Sequence, residues 1–162
     1  MEICTKPKHP FFLHSYIDSE PTEMNEEPTP SLNILIIEDD YTSRTLMQHM
    51  LKNIGETTVA NNGLQGVHEF NTALKSGKPY DLICLDIMMP ELNGHDVLKQ
   101  IRAIEQDNNT RPSGGVKIIM TTAVDKLSSV RDAYFELCDG YLTKPLHKDK
   151  LMDELKSLKL ID

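Results

Sequence analysis

Five short apolar segments recur along the chain, and each is followed by a longer stretch in which apolar residues are spaced as in a helix. The short segments hold four to six residues, and apolar side chains occupy half or more of the positions in each segment. That pattern predicts strands that are buried on both faces, as in a parallel sheet covered by helices. The predicted strands are Leu32 to Ile37, Thr57 to Ala60, Leu82 to Asp86, Val116 to Met120 and Gly140 to Thr143.

The stretches after the strands predict five helices, because apolar residues repeat there every three or four positions. Gly55 follows the first helix, and Gly77 with Pro79 follows the second, as expected at helix ends. The repeated apolar positions are Leu46, Met50, Leu51 and Ile54 in the first helix; Leu64, Val67, Phe70 and Leu74 in the second; Val97, Leu98, Ile101 and Ile104 in the third; Leu127, Val130, Tyr134 and Leu137 in the fourth; and Leu151, Leu155 and Leu158 in the fifth.

Strand and helix therefore alternate five times, which is typical of an α/β protein. Right-handed crossover connections place the carboxyl ends of all parallel strands at one edge of the sheet. We predict a flavodoxin-like doubly wound fold, with a five-stranded parallel sheet in the order 2-1-3-4-5 and helices on both faces.

The first 31 residues differ in character from the rest of the 162-residue chain. The stretch from Asp18 to Ser31 is rich in Glu, Pro, Thr and Ser, a composition that cannot bury enough apolar surface to offset the entropy of ordering it. We therefore predict a flexible, acidic and Pro-rich N-terminal tail over residues 1–31 and one domain over residues 32–162. The apolar group Phe11-Phe12-Leu13 is the predicted anchor of the tail.

Composition and charge narrow the classes of function. With 39% hydrophobic and 26% charged residues, the chain has the composition of a globular protein in water. A net charge of -8 argues against direct binding of nucleic acid through a broad basic surface. No apolar run approaches the roughly 20 residues of a membrane span. The three cysteines are far apart in the sequence, which fits a reducing, cytoplasmic setting.

Polar residues at the ends of the predicted strands carry the candidate chemistry. These residues are Glu38 and Asp39 after the first strand, Asp86 at the end of the third, Thr122 after the fourth and Lys144 after the fifth. Because ligands of doubly wound folds bind at the carboxyl edge of the sheet, we expect these side chains to share one pocket. Each residue alone also has an ordinary explanation as a helix cap or turn former, and Asp40 is expected only to cap the first helix.

Three carboxylates in one pocket predict a bound cation. At about 5 Å and an effective dielectric constant of about 20, each pair of carboxylates repels by roughly 3 kcal/mol. A site with only oxygen ligands suits Mg²⁺. A carboxylate oxygen of Asp86 can then attack a phosphoryl group, while Lys144 neutralises the phosphoryl oxygens and the Thr122 hydroxyl donates a hydrogen bond to one of them.

The segment LDIMMPELNG around Asp86 resembles the phosphoacceptor segment of receiver domains in two-component response regulators. Glu38-Asp39 resembles the acidic pair of that family, and Thr122-Ala123 and Lys144-Pro145 resemble its two other signature dipeptides. The resemblance extends over about Leu32 to Leu160. The chain is thereby identified as similar to a receiver domain of the single-domain, chemotaxis type.

This resemblance implies roles for individual residues. Asp86 would be the phosphoacceptor, and Asp39 would bind Mg²⁺ directly. Glu38, at a position where the family often has Asp, would act on the metal through water. The backbone carbonyl of Met88 would be a further ligand. Tyr141 matches the aromatic switch residue of the family, which turns inward when the hydroxyl of the signature threonine moves to the phosphoryl group.

The resemblance also implies partners and a mode of action. A histidine kinase or a histidine phosphotransfer protein would donate the phosphoryl group, and phosphorylation would alter contacts with a downstream protein target. The chain stops soon after the last predicted helix, so we expect either a regulator that works by protein contact or a fragment of a longer regulator. The resemblance implies a phosphoacceptor regulator and not an enzyme. Its own chemistry would be phosphotransfer and slow autodephosphorylation, because Met88 and Val124 place apolar side chains where hydrolytic water approaches in the family. Homodimerisation on phosphorylation stays open.

Two other classes of function use similar residues. A Mg²⁺-dependent aspartyl-phosphate phosphatase of the haloacid dehalogenase kind also has an aspartate at a strand end. Such enzymes carry a second acid two residues after the nucleophile, where this chain has Met88. A degenerate receiver that works without phosphorylation would not need the complete set of acidic, hydroxyl and lysine side chains found here.

Overall fold

The computed structural model describes residues 31–109, 115–123 and 137–162. Most of the predicted tail, Val124 and the predicted fourth helix up to Tyr134 lie outside the described residues. The strands are β1 (Leu32–Ile37), β2 (Gly55–Ala60), β3 (Leu82–Asp86), β4 (Lys117–Ala123) and β5 (Gly140–Lys144). The helices are α1 (Tyr41–Leu51), α2 (Gly63–Lys75), α3 (Gly94–Asp107) and α4 (Lys148–Ser157). None of these helices combines the length and apolar character that crossing a bilayer requires.

The five strands form one sheet in the order β2-β1-β3-β4-β5, and each neighbouring pair is parallel. Side chains along a strand point alternately to the two faces of the sheet, so each face has its own core. In β1, Leu35 and Ile37 belong to the core beneath α2 and α3, whereas Ile34 and Ile36 belong to the core beneath α1 and α4. The predicted flavodoxin-like doubly wound fold is confirmed.

Three strands, β2, β4 and β5, are longer than predicted, because pairing with a neighbouring strand extends them; β5 includes Lys144, which pairs with Ala123. β2 already begins at Gly55, which pairs with Leu32 across the sheet. β4 continues to Ala123, so Thr122 lies within the strand, opposite Thr143 of β5. A strand end therefore depends on its partner strand, which the local apolar pattern does not show.

Three helices begin at a side-chain cap. Asp40 accepts a hydrogen bond from the backbone N–H of Ser43 at 2.6 Å, and Asn62 and Asn93 cap α2 and α3 in the same way. The hydrogen bonds from Ser43 lower the pKa of the Asp40 carboxyl. Asp40 therefore serves as the cap of α1, as expected from the sequence, and its carboxylate is directed to the helix.

A buried network of charged side chains lies at the opposite edge of the sheet, where β4 and β5 begin. Arg102 of α3 is 6% exposed. Its guanidinium donates hydrogen bonds to Glu105 Oε2 at 2.7 Å, to Asp139 Oδ2 at 2.8 Å and to the backbone carbonyls of Leu137 at 2.7 Å and Val116 at 2.9 Å. Glu105 Oε1 accepts a further hydrogen bond from the backbone N–H of Val116. Arg102 thus ties α3 to the residues that precede both strands.

Candidate functional site

Three carboxylates meet at the carboxyl edge of the sheet. Glu38 and Asp39 follow β1, and Asp86 is the last residue of the neighbouring strand β3. One carboxylate oxygen of each residue lies within 4.8 Å of the other two. Glu38 and Asp86 are each 4% exposed, whereas Asp39 is exposed. The structure therefore brings the three predicted acids together in a cluster that is open to solvent on the side of Asp39.

Lys144, the last residue of β5, reaches into this acidic cluster. Its Nζ donates hydrogen bonds to Glu38 Oε2 at 2.9 Å and to Glu38 Oε1 at 3.2 Å. The same Nζ lies 3.3 Å from Asp86 Oδ1, close enough for an ion pair, but the geometry is not that of a hydrogen bond. Glu38 is thus the main partner of Lys144, and the described residues give the buried Asp86 Oδ1 an ion pair but no hydrogen bond.

The pKa shifts of two residues follow from this arrangement. Burial raises the pKa of the Glu38 carboxyl, and the charge of Asp86 adds to the effect, although the hydrogen bond from Lys144 opposes it. For Lys144, burial acts to lower the pKa, but the hydrogen bond to Glu38 and the two carboxylate charges outweigh burial and raise it. The raised pKa of Lys144 reflects a pocket with more negative than positive charge, which favours a further cation, whereas that of Glu38 follows mainly from burial.

The residues of the cluster fit Mg²⁺. The three carboxylates that meet here offer only oxygen ligands, the kind that Mg²⁺ prefers. They share the single ammonium group of Lys144, so negative charge remains in excess and a further cation would be favourable. The open side at Asp39 leaves room for the water ligands that Mg²⁺ usually keeps.

The loop after β3 packs tightly against the end of that strand. A Cβ atom on Gly94, the first residue of α3, would clash with the backbone carbonyl of Asp86 and lie 2.8 Å from the Cα of Ile87. The backbone N–H of Gly94 donates to the carbonyl of Ile87 at 3.0 Å. Met88, two residues after Asp86, is 51% exposed. Glycine at position 94 therefore lets the loop close directly beneath the Asp86 backbone.

Thr122 and Tyr141 lie on the two strands beyond β3. Thr122 is 1% exposed and lies one position past Thr121, the residue of β4 that pairs with Asp86. Its hydroxyl donates to the carbonyl of Ala123 at 3.3 Å. Tyr141 is half-buried in β5 and packs against the core beneath α2 and α3. Both residues thus lie on β4 and β5, the two strands that follow β3 in the order of the sheet.

Sequence reasoning missed one residue of this region, Arg44. Its guanidinium Nη1 donates to the backbone carbonyl of Glu38 at 2.8 Å and to that of Asp39 at 3.3 Å. The signal available in the sequence was an arginine placed one helical turn after the cap residue Asp40. That signal is weak, because backbone carbonyls are acceptors that every residue type provides.

A parallel five-stranded doubly wound sheet with an acidic cluster and a lysine at its carboxyl edge defines a narrow class of protein. The sequence profile described as the response regulator receiver domain matches residues 34–156 of this chain. The chain therefore belongs to the receiver domain family of response regulators. Such a domain is a module of two-component signalling and not a conventional enzyme.

Individual relatives agree with the family. The chain is 32% identical over 127 residues to the chemotaxis protein CheY of Listeria monocytogenes, which covers 77% of this chain and 96% of CheY. It resembles the co-crystal structure of the Saccharomyces cerevisiae histidine phosphotransfer protein Ypd1 with the receiver domain of the response regulator Ssk1 (TM-score 0.66, 27% identity, 82% of this chain and 93% of the other). It also resembles the receiver domain of the Pseudomonas aeruginosa sensor histidine kinase PA1611 with a magnesium ion coordinated in the active site cleft (TM-score 0.62, 27% identity, 78% and 96%).

Other relatives are much longer than this chain. It spans 17% of the length of Arabidopsis thaliana histidine kinase 5 and 24% of the Klebsiella oxytoca transcriptional regulator ZraR.

Proposed function

We propose that this protein is a phosphorylation-dependent signalling switch, which accepts a phosphoryl group on Asp86 and acts through altered contacts with a downstream protein. The observation that carries the proposal is the meeting of the Glu38, Asp39 and Asp86 carboxylates with the ammonium group of Lys144. Such a set can hold a divalent cation and a phosphoryl group side by side. Membership of the receiver family and the net charge of -8 support a cytoplasmic regulator that acts through protein contacts.

Asp86 is the proposed nucleophile. One oxygen of its carboxylate attacks the phosphorus atom of the donor, in line with the leaving group. A phosphorus–oxygen bond forms at Asp86, the bond from phosphorus to the leaving nitrogen or oxygen breaks, and the leaving group keeps the electron pair. Lys144 Nζ, 3.3 Å from Asp86 Oδ1, is placed to neutralise a phosphoryl oxygen on that atom. The product is an acyl phosphate.

Four groups are the proposed holders of Mg²⁺. Asp39, Asp86 and the backbone carbonyl of Met88 would hold it directly, and Glu38 would act through a water ligand. When bound, the cation would supply positive charge against the transferred phosphoryl oxygens. The three carboxylates repel one another, and a bound cation would relieve that repulsion.

Thr122 and Tyr141 are the proposed switch residues. The hydroxyl of Thr122 makes only a 3.3 Å contact with a carbonyl in the unphosphorylated protein, so it can exchange that contact for a phosphoryl oxygen at little cost. A contact made only in the phosphorylated state biases a conformational equilibrium. Tyr141, half-buried on the adjacent strand, would take the inward position that the movement of Thr122 opens.

The proposed donor is a histidine kinase or a histidine phosphotransfer protein. Support comes from the structural likeness to the Ypd1–Ssk1 complex, in which a phosphotransfer protein binds a receiver domain. An exposed Asp39 leaves the cluster accessible from solvent, as transfer from another protein requires. The phosphatase alternative is disfavoured, because Met88 supplies no general acid two residues after Asp86. The degenerate alternative is disfavoured by the complete site.

Intact-mass spectrometry of the purified protein tests this function. With acetyl phosphate and Mg²⁺ we expect one added phosphoryl group, which excess EDTA prevents and which hydroxylamine removes, because hydroxylamine cleaves acyl phosphates. Rapid turnover of many phosphomonoesters would support the phosphatase instead. No added mass, together with no Mg²⁺ binding in calorimetry, would support the degenerate module.

Replacing Lys144 with Met is expected to change Mg²⁺ binding and phosphorylation in opposite directions. Mg²⁺ should bind more tightly, because the substitution removes the ammonium that occupies both oxygens of Glu38. The initial rate of phosphorylation by acetyl phosphate should fall on the order of 100-fold, since one stabilising charge is lost from the transition state. Calorimetry and intact-mass time courses measure the two effects. A slower rate with weaker Mg²⁺ binding would contradict the assignment.

Replacing Met88 with Ala is expected to shorten the lifetime of the phosphorylated protein severalfold. The Met88 side chain is 51% exposed beside Asp86, where it can obstruct the approach of water. After removal of acetyl phosphate, the decay of the added mass gives the lifetime. Leu46→Ala on α1 removes a comparably exposed apolar side chain and serves as the control. A wild-type lifetime of seconds that Met88→Ala leaves unchanged would refute the prediction.

A further inference from the structure

We propose that Arg44 is a positioning residue for the cation site, because it holds the loop that carries Glu38 and Asp39. This inference rests on the proposed function, in which those two acids help to bind Mg²⁺. Arg44 itself contacts neither carboxylate through a hydrogen bond or ion pair that the structure shows. It would therefore act on the metal only through the backbone of the two ligand residues.

The contacts of Arg44 are made with the backbone directly beyond β1. Nη1 donates to the carbonyl of Glu38 at 2.8 Å and to that of Asp39 at 3.3 Å. The paired residues of β1 end at Ile37, and one further sheet hydrogen bond runs from the backbone N–H of Glu38 to the carbonyl of Ala60 at 3.1 Å. The carbonyls of Glu38 and Asp39 point beyond that last bond, and a charged donor shared between two successive carbonyls restrains both peptide groups.

Arg44 is itself held at its place on α1. Its backbone N–H donates to the carbonyl of Asp40 at 3.0 Å, within the first turn of the helix. Its guanidinium carbon lies 5.6 Å from the centre of the Tyr41 ring, a cation–π distance. The loop between β1 and α1 is thus held by two side chains. Asp40 caps the first turn of α1, and Arg44 extends from α1 back to the backbone of Glu38 and Asp39.

Arg44 and Lys144 are two cations near one acidic cluster, but they bind different atoms. Lys144 binds the carboxylate oxygens of Glu38, which is a proposed participant in metal binding, so it competes with an incoming cation. Arg44 binds backbone carbonyls and leaves the carboxylates available. The contacts of Arg44 are therefore compatible with a bound metal ion, although its positive charge repels that ion.

This distinction makes the sign of a mutational effect informative. If Arg44 acted only through its charge, Arg44→Met would tighten Mg²⁺ binding, since a repelling charge would be lost. If Arg44 positions the loop, the same substitution weakens binding, because the acids must be ordered again each time the metal binds. We expect roughly tenfold weaker binding, about the value of one hydrogen bond made by a charged group.

Calorimetric titration with Mg²⁺ alone is the decisive measurement. Arg44→Met is compared with Lys52→Met, which removes one exposed positive charge at the far end of α1, about 12 Å along the helix axis. We expect Lys52→Met to bind Mg²⁺ as the wild type does or slightly more tightly. Arg44→Lys keeps the charge and one donor nitrogen but not the planar guanidinium geometry that reaches both carbonyls from Nη1, so it should restore binding only in part. Thermal unfolding in EDTA confirms that each variant is folded.

The outcomes separate this inference from the proposed function. If the wild type binds Mg²⁺ and accepts a phosphoryl group, while Arg44→Met binds Mg²⁺ as tightly or more tightly, the positioning role is overturned. If Arg44→Met weakens binding and Arg44→Lys restores none of it, loss of a charged donor is not the cause, and the positioning role is overturned as well. If the wild type binds no Mg²⁺, the proposed function fails first.

Discussion

Replacing Asp86 with Asn is expected to abolish phosphorylation by acetyl phosphate, so that no added mass is found even after long incubation with Mg²⁺. The amide nitrogen is not a nucleophile toward phosphorus, and the amide oxygen carries no charge to form an acyl phosphate. Asp153→Asn, which removes an exposed carboxylate from α4, is the matched control and should be phosphorylated as the wild type is. Undiminished incorporation in Asp86→Asn would show that another residue is the acceptor.

The same variant is expected to be more stable than the wild type in EDTA. Asp86 is 4% exposed, its Oδ1 accepts no hydrogen bond, and its charge repels that of Glu38. Removing this charge should raise the free energy of unfolding by roughly 1 kcal/mol, with part of the gain offset by the lost attraction to Lys144. Addition of Mg²⁺ should raise the melting temperature of the wild type more than that of the variant, since ligand binding stabilises by mass action.

Replacing Arg102 with Met is expected to lower the free energy of unfolding by about 3–5 kcal/mol. The substitution strands Glu105, which is 2% exposed, without its 2.7 Å ion pair, and it removes the hydrogen bonds that hold Leu137 and Val116. A buried charge without its partner costs far more than an exposed one. Chemical denaturation by urea in EDTA measures the effect independently of the cation site.

A surface pair provides the control for that prediction. Lys99 and Asp96 on the same helix lie 3.6 Å apart with side chains about half exposed, and Lys99→Met should cost less than about 1 kcal/mol. The double variant Arg102→Met with Glu105→Gln removes the stranded charge and should recover part of the lost stability. A cost below 1 kcal/mol for Arg102→Met alone would mean that the network contributes little to the fold.

The sheet and the acidic cluster could be predicted because each strand can be recognised from its own local sequence. The apolar run from Leu82 to Leu85 followed by Asp86 predicts both a buried strand and an acid at its end. Parallel strands with right-handed crossovers then bring such ends together without further information. For the same reason Lys144 could be placed near the acids although it lies 106 residues from Glu38.

Other features could not be predicted, because they depend on contacts that the local pattern does not contain. The partners of Arg102 include Leu137 and Asp139, which lie 35 and 37 residues away along the chain. The pairing of Lys144 with Glu38 in preference to Asp86 depends on side-chain reach and geometry within the assembled pocket. Boundaries of strands depend on their neighbours, as the continuation of β4 shows.

The hydrogen bond between Glu38 and Lys144 also has a consequence for how the protein assembles. It joins β1 to β5 across β3 and β4, a span of roughly 14 Å between strand backbones. The entropic cost of joining positions so far apart in the sequence favours forming this contact after the intervening strands have paired. The three acids come from β1 and β3 alone, so the cluster needs only that pair of strands, whereas Lys144 reaches it only when β4 and β5 are also in place. The proposed phosphotransfer, which uses Lys144, therefore requires the complete sheet.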